Sequence, residues 1–341
     1  MSPVYFLLAG GFFVGWALGT NDGANVFGTA VGTKVLPWRL ATILIAVPAI
    51  IGAFTMGHGN LKNVRNLALL NGLASSDMTT NAIMGCLVFV ASGITTFIMS
   101  YLGLPVSVNQ CITGALVGWG ITNSPDWTKN APELIKFVST WVLNPTLGCI
   151  VCLVLVLIYN ATVKNWFEGH SKKDEMTKWC YIFFGVYTAF SLGVNSSANQ
   201  FAFFFSDDPA FPNLLTSPRI AATFGGIAIA SGVLTYSRNV METVGESIAP
   251  LTQQEGFIVT LAVGLTVFVF GSPTIGINIP VSTSQAVVGA VAGIGISKGW
   301  RCIKFKKLGQ IALAWLATPT ISGVIMFIVG LLYKPSGLIT A

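Results

Sequence analysis

One stretch is written twice in this chain. Leu18-Gly-Thr-Asn-Asp-Gly-Ala-Asn-Val-Phe27 returns as Leu192-Gly-Val-Asn-Ser-Ser-Ala-Asn-Gln-Phe201, 174 positions on. Two further pairs keep that spacing to within one residue. Pro105-Val-Ser-Val-Asn-Gln110 matches Pro280-Val-Ser-Thr-Ser-Gln285, and Trp141-Val-Leu-Asn-Pro-Thr146 matches Trp315-Leu-Ala-Thr-Pro-Thr320. A chance match would stand alone. Three collinear matches mark two copies of one unit, so the chain has to fold as two related halves.

Composition decides what kind of unit is doubled. Hydrophobic residues make up 53% of the chain and charged residues 9%. A soluble domain carries roughly 25% charged residues, so the sequence predicts an all-α polytopic membrane protein. Met1-Ser-Pro runs into an apolar segment without a basic start, so no removable leader is expected. The net charge of +6 is accounted for by basic residues at membrane loops, and no nucleic-acid partner is needed. The six cysteines lie in or beside apolar runs and read as small apolar helix residues.

Apolar runs fall near 4–20, 40–57, 79–103, 108–121 and 138–159, then near 180–205, 220–236, 256–277, 283–297 and 309–333. A full helical span needs about 20 residues. The runs at 108–121 and 283–297 fall short of that and are rich in glycine. Short, interrupted apolar segments at matching places in two halves point to a transporter's binding site. The expected architecture is two inverted-topology repeats with broken or re-entrant helices, about 10–12 membrane segments in all. Residues 1–160 form the first membrane repeat, 161–179 a polar cytoplasmic linker and 180–341 the second membrane repeat.

Charge sets the orientation. Lys298, Arg301, Lys304, Lys306 and Lys307 form a run without an acid, which is expected in the cytoplasm. Its counterpart around 122–136 balances Lys129 and Lys136 against Asp126 and Glu133, and is expected outside. Equivalent loops then lie on opposite sides, the central loop is cytoplasmic and both termini are outside.

Asp22 is the one carboxylate that a loop or segment end does not claim. A carboxylate inside an apolar chain is a functional-site hypothesis by default. Asn21 and Asn25 flank it, with glycines at 19, 23 and 28. That pattern suits an unwound turn offering carbonyl and side-chain oxygens. Oxygen ligands suit a hard ion such as Na⁺. The candidate cation-binding residues are Asn21, Asp22, Asn25, Asn195, Ser196 and Asn199, with Asp22, Asn25 and Asn199 as direct Na⁺ ligands. The alternative for Asp22 is a helix cap.

Pro-Val-Ser-x-x-Gln opens each short segment. Proline suits a first helical turn, which places Ser107 and Ser282 in that turn. A helix N-terminus inside a membrane offers free N–H groups and about half a positive charge, a ready oxyanion site. The candidate substrate-binding residues are Ser107, Val108, Asn109, Gln110, Ser282, Thr283, Ser284 and Gln285. The alternative is that these polar residues join helices to one another. No Lys or Arg stands in any of these duplicated motifs, so a bound anion's charge must be met by helix ends, hydroxyls and a co-bound cation.

The residues carry a resemblance. Gly19-x-Asn21-Asp22-x-Ala24-Asn25 is similar to the Gly-Ala-Asn-Asp-Val-Ala-Asn signature of the inorganic phosphate transporter (PiT) family. Pro105-Val-Ser and Pro280-Val-Ser-Thr resemble its Leu-Pro-Val-Ser-Thr-Thr-His segments, and Val240-Met-Glu-Thr-Val-Gly245 its Val-x-x-Thr-Val-Gly segment. The resemblance covers nearly the whole chain. It implies a symporter of phosphate with Na⁺ or H⁺, inverted repeats and a site where the repeats meet. Three departures stand out: Ser196 replaces the second aspartate, Gln110 and Gln285 replace the family's histidine, and Asn60-Leu-Lys-Asn-Val64 keeps little of the Val-x-x-Thr-Val pattern.

The expected function is therefore secondary symport of inorganic phosphate with Na⁺ or H⁺. A permease for sulfate or a related oxyanion is the alternative of the same class. A membrane-embedded phosphate-handling enzyme is the alternative of another class, and it lacks a nucleophile with a base in reach. His58 and His170 are poor material for a metal site or a triad. No cofactor is expected beyond the co-transported ion. The partners are phosphate, Na⁺ and the lipid bilayer, and a homodimer is left open.

Overall fold

The computed structural model describes residues 8–60, 78–123, 131–204, 217–246, 248–272 and 281–333. Every regular element among them is helical. The first half contains α1 (Leu8–Asp22), α2 (Ala24–Gly32), α3 (Trp38–Met56), α4 (Met78–Tyr101), α5 (Val108–Asn123) and α6 (Ala131–Ile158). A π turn at Tyr159–Val163 leads into α7 (Lys164–Glu168). The second half contains α8 (Lys173–Ser196), a 3-10 turn at Asn199–Phe204, α9 (Pro218–Tyr236), α10 (Arg238–Glu246), α11 (Gln253–Gly271), α12 (Thr283–Lys298) and α13 (Phe305–Leu332). Each of the ten apolar runs contains a helix. Six of these helices are long and apolar enough to cross a bilayer: α3, α4, α6, α9, α11 and α13. The chain is an all-helical, multi-pass membrane protein.

Local sequence sets several helix starts. Ser217 Oγ accepts from Arg219 N at 3.3 Å and Pro218 occupies the first turn of α9. Thr252 and Glu255 form a reciprocal capping box on α11, at 3.3 and 2.7 Å. Lys298 at the end of α12 reaches that same carboxylate at 2.9 Å. This pair ties the second short helix to the base of α11.

The halves interlock. Helix α1 packs on α9, and the equivalent of α1 in the second half, α8, packs on α3. Likewise α5 packs on α13, and its equivalent α12 packs on α6. Each main pair is thus made twice, with the halves exchanged. Bare backbone allows these approaches. A Cβ on Gly19 would fall on the Ile229 carbonyl, and one on Gly232 on the Trp16 carbonyl. The sibling pair repeats this, with Gly193 against the Ala49 carbonyl and Gly52 against the Phe190 carbonyl. Gly114 meets the Pro319 carbonyl and Gly289 the Pro145 carbonyl. Lipid tails give apolar helices no reason to prefer one another to lipid, so close packing of small residues has to supply the contact energy.

The contacts also give direction. Gly114, Gly118 and Thr122 of α5 meet Pro319, Gly323 and Gly330 of α13 in that order, so the two helices run the same way. Helix α12 ends at the short 299–304 segment where α13 begins, so α12 points towards the face that α13 leaves. The equivalent helices α5 and α12 therefore run in opposite directions, which is the relation of an inverted repeat.

One expectation is refined and one corrected. Within the linker 161–179, helix runs through Glu168 and resumes at Lys173, leaving 169–172 between. Phe167 explains this, because it is buried with its ring against Tyr159 and Phe257. Ser107 and Ser282 are not inside a first turn. They precede α5 and α12, and Ser282 is the N-cap, its Oγ accepting from Gln285 N at 3.4 Å. Serine competes for backbone N–H groups best at that position.

Gly19→Val and Gly193→Val should each destabilise the protein by about 1–3 kcal/mol or more, because the carbonyl opposite cannot yield. Thermal unfolding in detergent measures this. Gly309→Ala, where an added Cβ meets nothing within 4 Å, is the control and should not lower the midpoint. Equal midpoints for all three would contradict the interlocked packing.

Candidate functional site

The duplicated signature lies where a helix breaks. In the first half α1 ends at Asp22 and α2 begins at Ala24. The break is tighter than the sequence suggested: Gly23 keeps right-handed helical angles, with φ −57 and ψ −30. In the second half α8 ends at Ser196 and a 3-10 turn starts at Asn199. Asp22 is 5% exposed and is the one buried charged side chain among the described residues.

Asp22 does not stand alone. Ser284 Oγ donates to Asp22 Oδ1 at 2.6 Å, and Asn25 Nδ2 donates to Ser284 Oγ at 2.7 Å and to Asp22 Oδ1 at 3.3 Å. Ser284 belongs to the first turn of α12, so the signature of one half meets the short helix of the other. Asn21 adds the remaining link. Its Oδ1 accepts from Val106 N at 2.9 Å and lies 3.3 Å from Ser284 Oγ, while its Nδ2 donates to Ser100 Oγ and Leu104 O, both at 3.0 Å. The segment leading into α5 and the first turn of α12 therefore converge on one amide. Two helix N-termini, from opposite directions, come together here.

The second half repeats the plan with neutral groups. Asn199 Nδ2 donates to Asn109 Oδ1 at 3.5 Å, as Asn25 does to Ser284. Asn195 Nδ2 donates to Val281 O at 2.9 Å and to Ser196 Oγ at 3.2 Å. Of the three expected Na⁺ ligands, Asp22 and Asn25 share one cluster, whereas Asn199 sits with Asn109. Ser107, Val108, Ser282 and Thr283 are buried at the two helix starts.

Several buried polar atoms have no hydrogen-bond partner among the described residues. They include both amide atoms of Gln110, Nε2 of Gln285, Oγ1 of Thr283, and Oδ1 of Asn25 and of Asn199. Leaving such an atom unpaired costs about 1–3 kcal/mol. Clustered at two helix N-termini, they offer donors and acceptors to a small polar ligand. No basic side chain is buried among the described residues. The arrangement can hold an oxyanion through N–H groups, amides and hydroxyls, beside a carboxylate that can hold a cation.

The sequence reading missed two participants and one buried amide beyond them. Asn144 Nδ2 donates to Gln285 Oε1 at 3.1 Å, and it stands in the third duplicated motif, where an amide inside an apolar run was the signal. Ser100 closes α4 and supports Asn21. Gln200 is fully buried with neither amide atom paired among the described residues, and its counterpart in the first half is Val26. A buried amide where the sibling has valine marks a place where the halves differ.

Comparisons with known proteins agree over the length of the chain. A model of the phosphate transporter family matches residues 18–326. A Pyrococcus furiosus protein named as a phosphate permease is 26% identical, over 95% of this chain and 94% of its own. One of the same name from Methanocaldococcus jannaschii is 28% identical, over 93% and 94%. The chloroplastic inorganic phosphate transporter 2-1 of Arabidopsis thaliana is 22% identical, over 92% of this chain and 69% of its own. Among solved structures, a sodium-dependent phosphate transporter superposes with a TM-score of 0.75 at 20% identity, covering 97% of this chain and 99% of that one.

Asn21→Ala should destabilise the protein by about 2–4 kcal/mol, because it strips the side-chain partner from Leu104 C=O and Val106 N–H together. Denaturant titration in detergent measures the loss. Thr55→Ala, at an exposed residue bonded only within its own helix, is the comparison. A loss no larger than that of Thr55→Ala would contradict the role of Asn21 as the joint between the helix starts.

Proposed function

The chain belongs to the phosphate transporter family, and from that premise we propose that it is a secondary symporter carrying inorganic phosphate together with Na⁺ by alternating access. The observation that carries this is the meeting of two helix N-termini from the two halves beside the one carboxylate buried among the described residues. Phosphate sits against the starts of α5 and α12, with Ser107, Asn109, Gln110, Thr283, Ser284 and Gln285 around it. Na⁺ sits at Asp22, with Asn25 Oδ1 as a further oxygen.

The physics of coupling follows from the charges. A phosphate and a carboxylate about 4 Å apart repel by about 4 kcal/mol at an effective dielectric of about 20. A cation held between them reverses the sign. Anion and cation then each raise the other's affinity by the same factor. The interlocked, oppositely directed halves supply the two gates that alternating access requires.

The same site favours phosphate over sulfate. Phosphate near neutral pH keeps a proton and can donate a hydrogen bond, whereas sulfate only accepts. Gln110 Oε1 and Asn199 Oδ1 are unpaired acceptors that can use that proton. A site built to bond a substrate group can reject an analogue lacking it by about 10⁴-fold or more. The basic run from Lys298 to Lys307 supports a cytoplasmic α12–α13 junction, with the central segment on that side and both termini outside.

Asp22→Asn keeps the shape and removes the charge. In proteoliposomes it should reduce Na⁺-stimulated uptake of labelled phosphate to background, while the purified variant elutes as the unaltered protein does. Normal Na⁺-stimulated uptake by the variant would make Asp22 a helix cap and move the coupling ion elsewhere.

A further inference from the structure

The two halves hold the same constellation, and they fill it differently. In the first, Asp22, Ser284 and Asn25 form a closed cluster. The positions equivalent to these are Ser196, Asn109 and Asn199; there Asn199 Nδ2 donates to Asn109 Oδ1 at 3.5 Å, while Ser196 Oγ accepts from Asn195 Nδ2. The first cluster contains a carboxylate and the second contains none.

We propose that the chain binds a single Na⁺, at the Asp22 cluster, and that the Ser196 cluster holds none and contributes only neutral hydrogen bonds to the anion. This rests on the symport reading and sets its cation count. A Na⁺ taken into a buried site gives up its water, and neutral oxygens alone do not offset that loss as a carboxylate does. In the second cluster the group at the carboxylate's place is the Ser196 hydroxyl, which already accepts from Asn195 at 3.2 Å. No other described carboxylate is buried, so none among the described residues can take over from a distance. The remaining side chains there, the amides of Asn199 and Asn109, are neutral. Two otherwise matching half-sites thus have different work: one neutralises charge and the other hydrogen-bonds.

A site with one cation makes the transport of monovalent phosphate electrically neutral and gives a simple saturation curve in Na⁺. A site charged in both halves would take two cations and show a sigmoidal one.

The test is equilibrium binding of radioactive sodium to the purified full chain in detergent with saturating inorganic phosphate. One Na⁺ per chain is expected, and none for Asp22→Asn. The double variant Ser196→Asp with Asn109→Ser rebuilds the first cluster in the second half and should raise the count to two. Two Na⁺ in the unaltered chain, or none, overturns the inference, as does a rebuilt variant that elutes normally and still binds one. The count in the unaltered chain decides even if the rebuilt variant does not fold. Phosphate uptake by the same preparation separates the two readings. One bound Na⁺ without uptake removes symport and keeps the count, and uptake with two bound removes the count and keeps symport.

Discussion

A carboxylate buried in a bilayer without a basic partner is the constraint on which the rest of this structure turns. An ionised side chain costs several kcal/mol at such depth unless it is paired. Asp22 meets hydrogen-bond donors from Ser284 and Asn25 and, among the described residues, no Lys or Arg. Those two bonds hold its position but leave its charge in place. A fold that keeps such a group retains an affinity for cations, and under the proposed symport the local instability and the coupling have the same origin.

Bare backbone is what lets that arrangement exist. The contacts of Gly19 and Gly232 hold α1 on α9, and those of Gly193 and Gly52 hold α8 on α3. Both pairs cross between the halves. The site is consequently assembled from parts that neither half owns alone: the Asp22 signature from the first and the α12 start from the second. Divergence can then act on one half at a time, and Asp22 against Ser196, or Val26 against Gln200, are the traces of it.

Much of this could be read from the chain before any coordinates. The apolar runs located the helices because lipid forces every backbone group into internal hydrogen bonds. The short runs at 108–121 and 283–297 became the two helix starts that face the site. Asp22 stood out because an apolar chain has few places for a carboxylate. What could not be read was partnership. Nothing in the motif around Asp22 says that Ser284, rather than its sibling Asn109, will donate to it, since that choice is made by packing between halves. Asn144 stands in a repeat marker, and its bond to Gln285 depends on the α6–α12 contact. The helix continuing to Glu168 was hidden by a polar surface, because one buried ring, Phe167, holds it down.

The central claim is that one site binds phosphate and Na⁺ interdependently and tells phosphate from sulfate. Accumulation of labelled phosphate in proteoliposomes, driven by an imposed inward Na⁺ gradient and challenged with excess unlabelled sulfate, tests it most directly. The account predicts accumulation above the outside concentration that needs the gradient and survives the sulfate. Accumulation that ignores the gradient, or that sulfate blocks as well as unlabelled phosphate does, would contradict it.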